Sequence, residues 1–171
     1  TDNIPAGYKR SPLGIIPKEW EVKEFCEVAS LCKGKYVPSI NEHKKCIELE
    51  NIAQEDGSII GWIDSAKQKS TKTIFEIKNV LFGKLRPYLR KYWHANFEGV
   101  CSSEIWVLKE KQVCSSDFLF RLIQSDKFIQ AANVSSGSKM PRADWNYVSS
   151  FPFALPPLPE QQKSAEILSV W

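Results

Sequence analysis

The 171-residue sequence predicts a domain of the α/β class, of the α+β type. The expected architecture is a twisted mixed or mostly antiparallel sheet with flanking helices, followed by the start of a C-terminal helix. Three observations predict it. Short apolar segments bounded by turn residues recur at 46–52, 59–63, 79–85, 99–109 and 148–155. One long stretch, 117–132, carries helical periodicity with a cap in front of it. The elements do not alternate in the strand–helix–strand rhythm that a parallel sheet requires.

In order along the chain, residues 2–18 are rich in Pro and Gly and read as an extended entry segment ending at Ile16-Pro17-Lys18-Glu19-Trp20. Residues 21–31 read as a strand or short helix, with Val22, Phe25, Val28 and Leu31 at helix-like spacing. Residues 33–45 form a polar loop. Cys46 to Ile52 alternates apolar with polar, the pattern of a half-buried strand, and Asp56-Gly57 is a turn signal leading into a hairpin partner at 59–63. In the helix at 117–132, Ser115 or Ser116 can supply the cap, and Asp117 suits the positive end of the helix. Phe118, Leu119, Leu122, Ile123, Phe128 and Ile129 form its apolar face. A strand at 148–155 is closed by Pro156-Pro157-Leu158-Pro159. A last helix begins at Glu160, with Ala165, Leu168 and Trp171 spaced for one face. About 12 residues make a marginal helix without something to pack on. The lack of an initiator Met and the stop inside this helix read as a piece of a longer chain.

A composition of 43% hydrophobic and 25% charged residues is that of a globular domain and argues against a disordered or fibrous chain. No apolar run reaches the roughly 20 residues that span a bilayer, and the N-terminus lacks the apolar core of a signal peptide. The cysteines Cys26, Cys32, Cys46, Cys101 and Cys114 are odd in number and widely spaced, which predicts reduced thiols and a cytoplasmic protein. Neither His43 nor His94 stands in a metal-ligand spacing.

The net charge of +3 hides an asymmetry. Residues 67–91 hold eight basic side chains (Lys67, Lys69, Lys72, Lys78, Lys84, Arg86, Arg90, Lys91) and one acid, Glu76. A basic block on an otherwise acidic domain is the electrostatic footprint of a nucleic-acid binder. The plain alternative is a solvated lysine-rich loop. Phe75, Phe82, Tyr88, Tyr92 and Trp93 interleave with the cations, as flat faces would beside phosphate-reaching groups. A second basic string, Ser135-Ser136-Gly137-Ser138-Lys139-Met140-Pro141-Arg142, combines close backbone approach with two cations.

Marks of catalysis are scarce. The sequence contains no GxGxxG, GxxxxGK[ST] or GxSxG string. Glu76-Ile77-Lys78 has the E-x-K shape of a metal-dependent nuclease, with Asp64 as the nearest companion acid, but the tripeptide is common by chance. The expectation is no catalytic site and no metal.

Five strings, in order, resemble a target recognition domain of the specificity subunit of type I restriction-modification systems. They are Gly14 to Trp20, Val80 to Leu89, Val100 to Ile105, Gly137 to Arg142, and Leu155 to Gln162. Their order and spacing cover nearly the whole chain from Tyr8 onward. The resemblance implies a bacterial or archaeal protein in which residues 1–158 form the recognition domain and residues 159–171 begin a spacer helix. It implies that the intact subunit carries a second such domain, or pairs with itself, and that each domain reads half of a split sequence in double-stranded DNA. It also implies methyltransferase and restriction subunits as partners, with S-adenosylmethionine, ATP and magnesium belonging to them and no cofactor in this chain. A target recognition domain of the same kind also occurs fused to methyltransferases in single-chain restriction enzymes.

The expected DNA contacts are Lys84, Arg86, Lys91, Lys139 and Arg142, with Lys67, Lys69 and Lys72 on a loop entering or flanking the groove. Gly83 would let the backbone sit close. Ala165, Leu168 and Trp171 are the expected subunit contact. Two rivals stand beside this reading: a protein-interaction module working through the C-terminal helix, and a nuclease built on Glu76 and Lys78.

Overall fold

Thirteen short strands and four short helices make up the domain in a computed structural model that describes residues 3–134 and 140–162. The strands up to the first core element are β1 (Tyr8–Ser11), β2 (Gly14–Pro17) and β3 (Glu21–Glu24), followed by helix α1 (Phe25–Val28) and β4 (Ala29–Leu31). Next come β5 (Lys35–Tyr36), β6 (Lys45–Ile47), β7 (Ile63–Asp64), β8 (Lys72–Phe75), β9 (Val80–Gly83), β10 (Tyr92–His94), β11 (Gly99–Cys101) and β12 (Ile105–Glu110). Helices α2 (Ser116–Leu122), α3 (Asp126–Ala132) and α4 (Trp145–Ser149) precede β13 (Pro152–Leu155).

Two sheets carry the fold. One is fully antiparallel, in the order β10-β9-β12-β4. The other, β5-β8-β11-β6-β7, is antiparallel except for the β11/β6 pair. Strand period explains how they stack, because successive side chains point to opposite faces. In β9, Val80 and Phe82 enter one core with the helices, while Leu81 enters a second core with the other sheet. In β12, Trp106 and Leu108 go to the first core, and Ile105 and Val107 to the second. The antiparallel sheet is therefore the middle layer, buried on both faces, and this is why its strands read as continuous apolar runs. The helix layer supplies Phe118, Leu119, Leu122 and Phe128; the second sheet supplies Ile47, Phe75 and Cys101.

The class and the mostly antiparallel pairing match the expectation, and several boundaries do not. The segment 21–31 is a strand, a helical turn and a strand in succession. The strand expected over 46–52 ends at Ile47, and Leu49–Asn51 forms a 3-10 turn. The single helix expected over 117–132 is two. Ser115 Oγ caps α2 by accepting the Phe118 N–H, and Ser125 Oγ caps α3 by accepting that of Phe128. Ser125 Oγ also donates to the Leu122 carbonyl, which ends the first helix. The strand expected over 148–155 begins only at Pro152, because Asp144 caps α4 ahead of it. Leu158–Glu160 is a 3-10 turn, and residues 163–171 lie outside the described residues, with Ala165, Leu168 and Trp171 among them.

Gly99 is required by the parallel pair. A Cβ there would collide with the Lys45 carbonyl oxygen and stand 3.1 Å from Phe75 Cζ. No larger residue lets β11 approach β6 so closely.

Candidate nucleic-acid interface

Strand direction gathers the basic strings at one end of the two sheets. Strand β6 leaves the sheet there into the 48–51 turn, and β11 leaves it into residues 102–104. Strand β8 enters from that end, since Thr73 pairs with Cys101. Strand β9 ends there, Gly83 pairing with Ile105, so residues 84–91 lie at the same end before β10 returns.

Three segments far apart in sequence are laced together at this end by main-chain bonds. The Lys84 N–H donates to the Glu104 carbonyl at 2.9 Å, and the Ala143 N–H donates to the Lys84 carbonyl at 2.8 Å. The Arg86 N–H donates to the Pro141 carbonyl at 2.7 Å, and Leu85 bridges Arg142 antiparallel. Glu104 is itself fixed by a turn in which its N–H donates to Ser102 Oγ and the Ile105 N–H donates to the Ser102 carbonyl. Across the seam, the Arg142 guanidinium grips the Glu104 carboxylate side-on. Nε donates to both oxygens at 3.1 and 3.0 Å, and Nη2 donates to Oε1 at 2.9 Å. These bonds, and then the carboxylate charge, push the Arg142 pKa up and secure the cation.

The backbone of 86–90 is unusual. Arg86 and Arg90, at the two ends of the Pro87–Leu89 turn, both adopt left-handed conformations with φ 53°. For residues other than glycine such geometry persists only where the surroundings enforce it. Arg90 is enforced by its side chain: Nη1 donates to the Gln124 carbonyl and Nη2 to Asp126 Oδ1 at 2.6 Å, fastening the turn to α3. Arg86 remains exposed, with its side chain in no ion pair among the described residues.

The structure thus divides the basic block. Lys84, half-buried, and the exposed Arg86, Lys67 and Lys69 present cations that form no ion pair among the described residues. Lys72 does not present one. Its side chain is 2% exposed and its ammonium donates to Glu48 Oε1 at 2.9 Å, with Ser70 and Gln68 as further acceptors. An ammonium so buried needs partners for its donors, and this one is committed to Glu48, Ser70 and Gln68. Lys91 is half-buried and its ammonium donates to the Leu49 carbonyl at 2.8 Å, bracing the 49–51 turn rather than facing outward. Lys139 lies outside the described residues. Gly83 is buried and its open side faces Leu49 and Lys91, so its small size serves internal packing. Of the interleaved aromatics, Phe75, Phe82, Tyr92 and Trp93 belong to the cores, and only Tyr88 is exposed. The residue that sequence reasoning passed over is Glu104; its signal was an acid set between two basic strings.

The opposite end of the second sheet holds an open groove of about 750 Å³ lined by His43, Lys45, Phe75, Glu76, Phe97 and Glu98. The E-x-K tripeptide falls there, but Lys78 sits in a turn with φ 75°. Asp64 spends its oxygens on the Ala66 N–H and on His43 Nδ1. The Ala66 N–H first, and His43 after it, hold the Asp64 carboxyl below its usual range. Among the described residues no group of three or more His, Cys, Asp or Glu side chains could hold a metal ion. No helix among them is long and apolar enough to cross a membrane.

A three-layer scaffold with exposed cations on laced loops at one end is the arrangement that a DNA-contacting domain presents. Comparison with known proteins agrees. Residues 17–171 match the family model for the type I restriction modification DNA specificity domain, and the chain belongs to that family. It is 27% identical over 159 residues to the type I restriction enzyme EcoDI specificity subunit of Escherichia coli, covering 91% of this chain and 35% of that protein. It superposes on the HsdS subunit from Thermoanaerobacter tengcongensis with a TM-score of 0.75 at 23% identity, covering 86% of this chain and 40% of that one. A chain from a structural study of complex assembly and conformational transition in the type I R-M system gives a TM-score of 0.73 at 21% identity, covering 90% and 42%. The chain therefore spans well under half the length of these relatives.

Proposed function

We propose that this chain is a half-site reader: it recognises one part of a split sequence in double-stranded DNA for a type I restriction-modification complex. The observation that supports this most directly is the seam joining residues 84–86, 102–104 and 140–143, which holds Lys84, Arg86 and Arg142 at one end of the domain. Lys67 and Lys69, exposed on the connection into β8, and Lys139 beside the seam in sequence, complete the proposed contact set. Phosphate contacts from such cations fix register, and base-edge contacts carry sequence information. Both classes of contact are served by Arg.

In this reading a second recognition domain, in the same subunit or in a second copy, reads the other half. Methyltransferase and restriction subunits in a bacterial or archaeal cytoplasm supply the chemistry, and S-adenosylmethionine, ATP and magnesium belong to them. The resemblance assigns residues 159–171 to the beginning of a spacer helix and makes Ala165, Leu168 and Trp171 the proposed subunit contact. Gln161 fastens the described part, residues 159–162, to the domain: it is 1% exposed, accepts the Ser115 N–H, and donates to the Val113 and Pro156 carbonyls.

Titration of the chain against a randomised duplex pool at two salt concentrations, with sequencing of the bound fraction, tests the proposal. Enrichment of a motif of about three to five base pairs with affinity falling as salt rises is the expected result. Absence of binding even at low salt would transfer the function to a protein-interaction surface.

A further inference from the structure

We infer that Glu104 is a positioning residue for DNA recognition, holding Arg142 side-on so that the outer edge of its guanidinium meets a bidentate acceptor on the duplex. The inference rests on the reading that this end of the domain faces DNA.

A guanidinium carries five N–H donors in a fixed plane. Glu104 engages the Nε proton and one Nη2 proton, the side-on arrangement. Both Nη1 protons and the second Nη2 proton make no hydrogen bond to the described residues, and the Arg142 side chain is 48% exposed. That outer edge has the spacing for guanine O6 and N7, or for two oxygens of one phosphate. A long side chain on a surface normally loses rotamer freedom when it binds; one already clamped loses less. Glu104 is a rigid clamp, because the 102–105 turn fixes its backbone and the Leu85 bridge fixes that of Arg142. Lys84 and Arg86 keep the surroundings cationic despite the carboxylate.

The opposing possibility is that Glu104 sequesters Arg142, and the two make opposite predictions. The test measures affinity of the full chain, and of its E104A, E104Q, R142A, R142K and E104A/R142A variants, for the duplex selected from the pool. A bidentate contact predicts that E104A weakens binding about tenfold. R142K is expected to bind more weakly than the unsubstituted chain, because an ammonium keeps the charge but lacks the fork. E104A should add nothing in the R142A background. Thermal unfolding checks that the variants fold, and E104Q, which keeps the size and one acceptor, replaces E104A if that variant does not. A guanine contact will appear as lost discrimination at one base pair, and a phosphate contact as uniform weakening with a salt slope lower by about one. Unchanged or tighter binding by E104A, or additive losses in the double variant, overturns the inference while leaving the half-site reading intact. Failure of the unsubstituted chain to bind any duplex overturns both.

Discussion

Lys72 and Glu48 form an ion pair at the mouth of the second sheet, with Lys72 Nζ 2.9 Å from Glu48 Oε1, the lysine side chain 2% exposed and the glutamate 17%. The pair joins the start of β8 to the residue after β6, two strands that are not neighbours in the sheet. Removing one partner leaves the other uncompensated. K72A is therefore expected to cost about 3 kcal/mol, read as a shift in the urea midpoint. Its folded form should bind DNA as the unsubstituted chain does, since the ammonium faces inward.

Arg86 and Arg90 share a backbone conformation four residues apart and are expected to part company under mutation. R90A removes hydrogen bonds to the Gln124 carbonyl and Asp126, and a loss of about 1–2 kcal/mol should follow. R86A should leave the unfolding temperature nearly unchanged and weaken DNA binding. Thermal melts paired with duplex titrations separate the two.

G99A introduces a methyl group against the Lys45 carbonyl and the Phe75 ring. Backbone cannot yield there without parting β11 from β6, so a loss of about 1–3 kcal/mol is expected. Denaturant unfolding reads it, and a melting temperature equal to that of the parent would show that the strand pair can shift.

The buried thiols give the domain a pH dependence. Burial, aided by Glu48, pushes Cys46 up to about 11, and burial, aided by Glu110, pushes Cys114 up to about 12. Burial raises Cys101 as well. An unfolded thiol ionises near its ordinary value of 9.0, so above that pH the unfolded chain binds fewer protons than the folded one. Stability is then expected to hold up to about pH 9 and to fall from there toward pH 12, read by urea midpoints at successive pH values. At pH 8, alkylation of the folded domain should reach the half-buried Cys26 first and spare Cys46, Cys101 and Cys114.

The sequence by itself determined the class of fold, the family and the positions of the basic strings. Apolar runs such as Val80 to Phe82 and Ile105 to Leu108 declare strands, and Ser115 before Asp117 declares a helix start. These signals are local, because strand period and helix capping act within a few residues. Tertiary structure alone decided which cations turn outward. Lys72, Arg90 and Lys91 are indistinguishable from Lys84 and Arg86 in the sequence, and they differ because Glu48, Asp126 and the Leu49 carbonyl meet them from other parts of the chain. The same holds for Glu104, whose partner stands 38 residues away. A charge is free or committed according to what packs beside it, and that is a property of the closed sheet layers rather than of neighbouring residues.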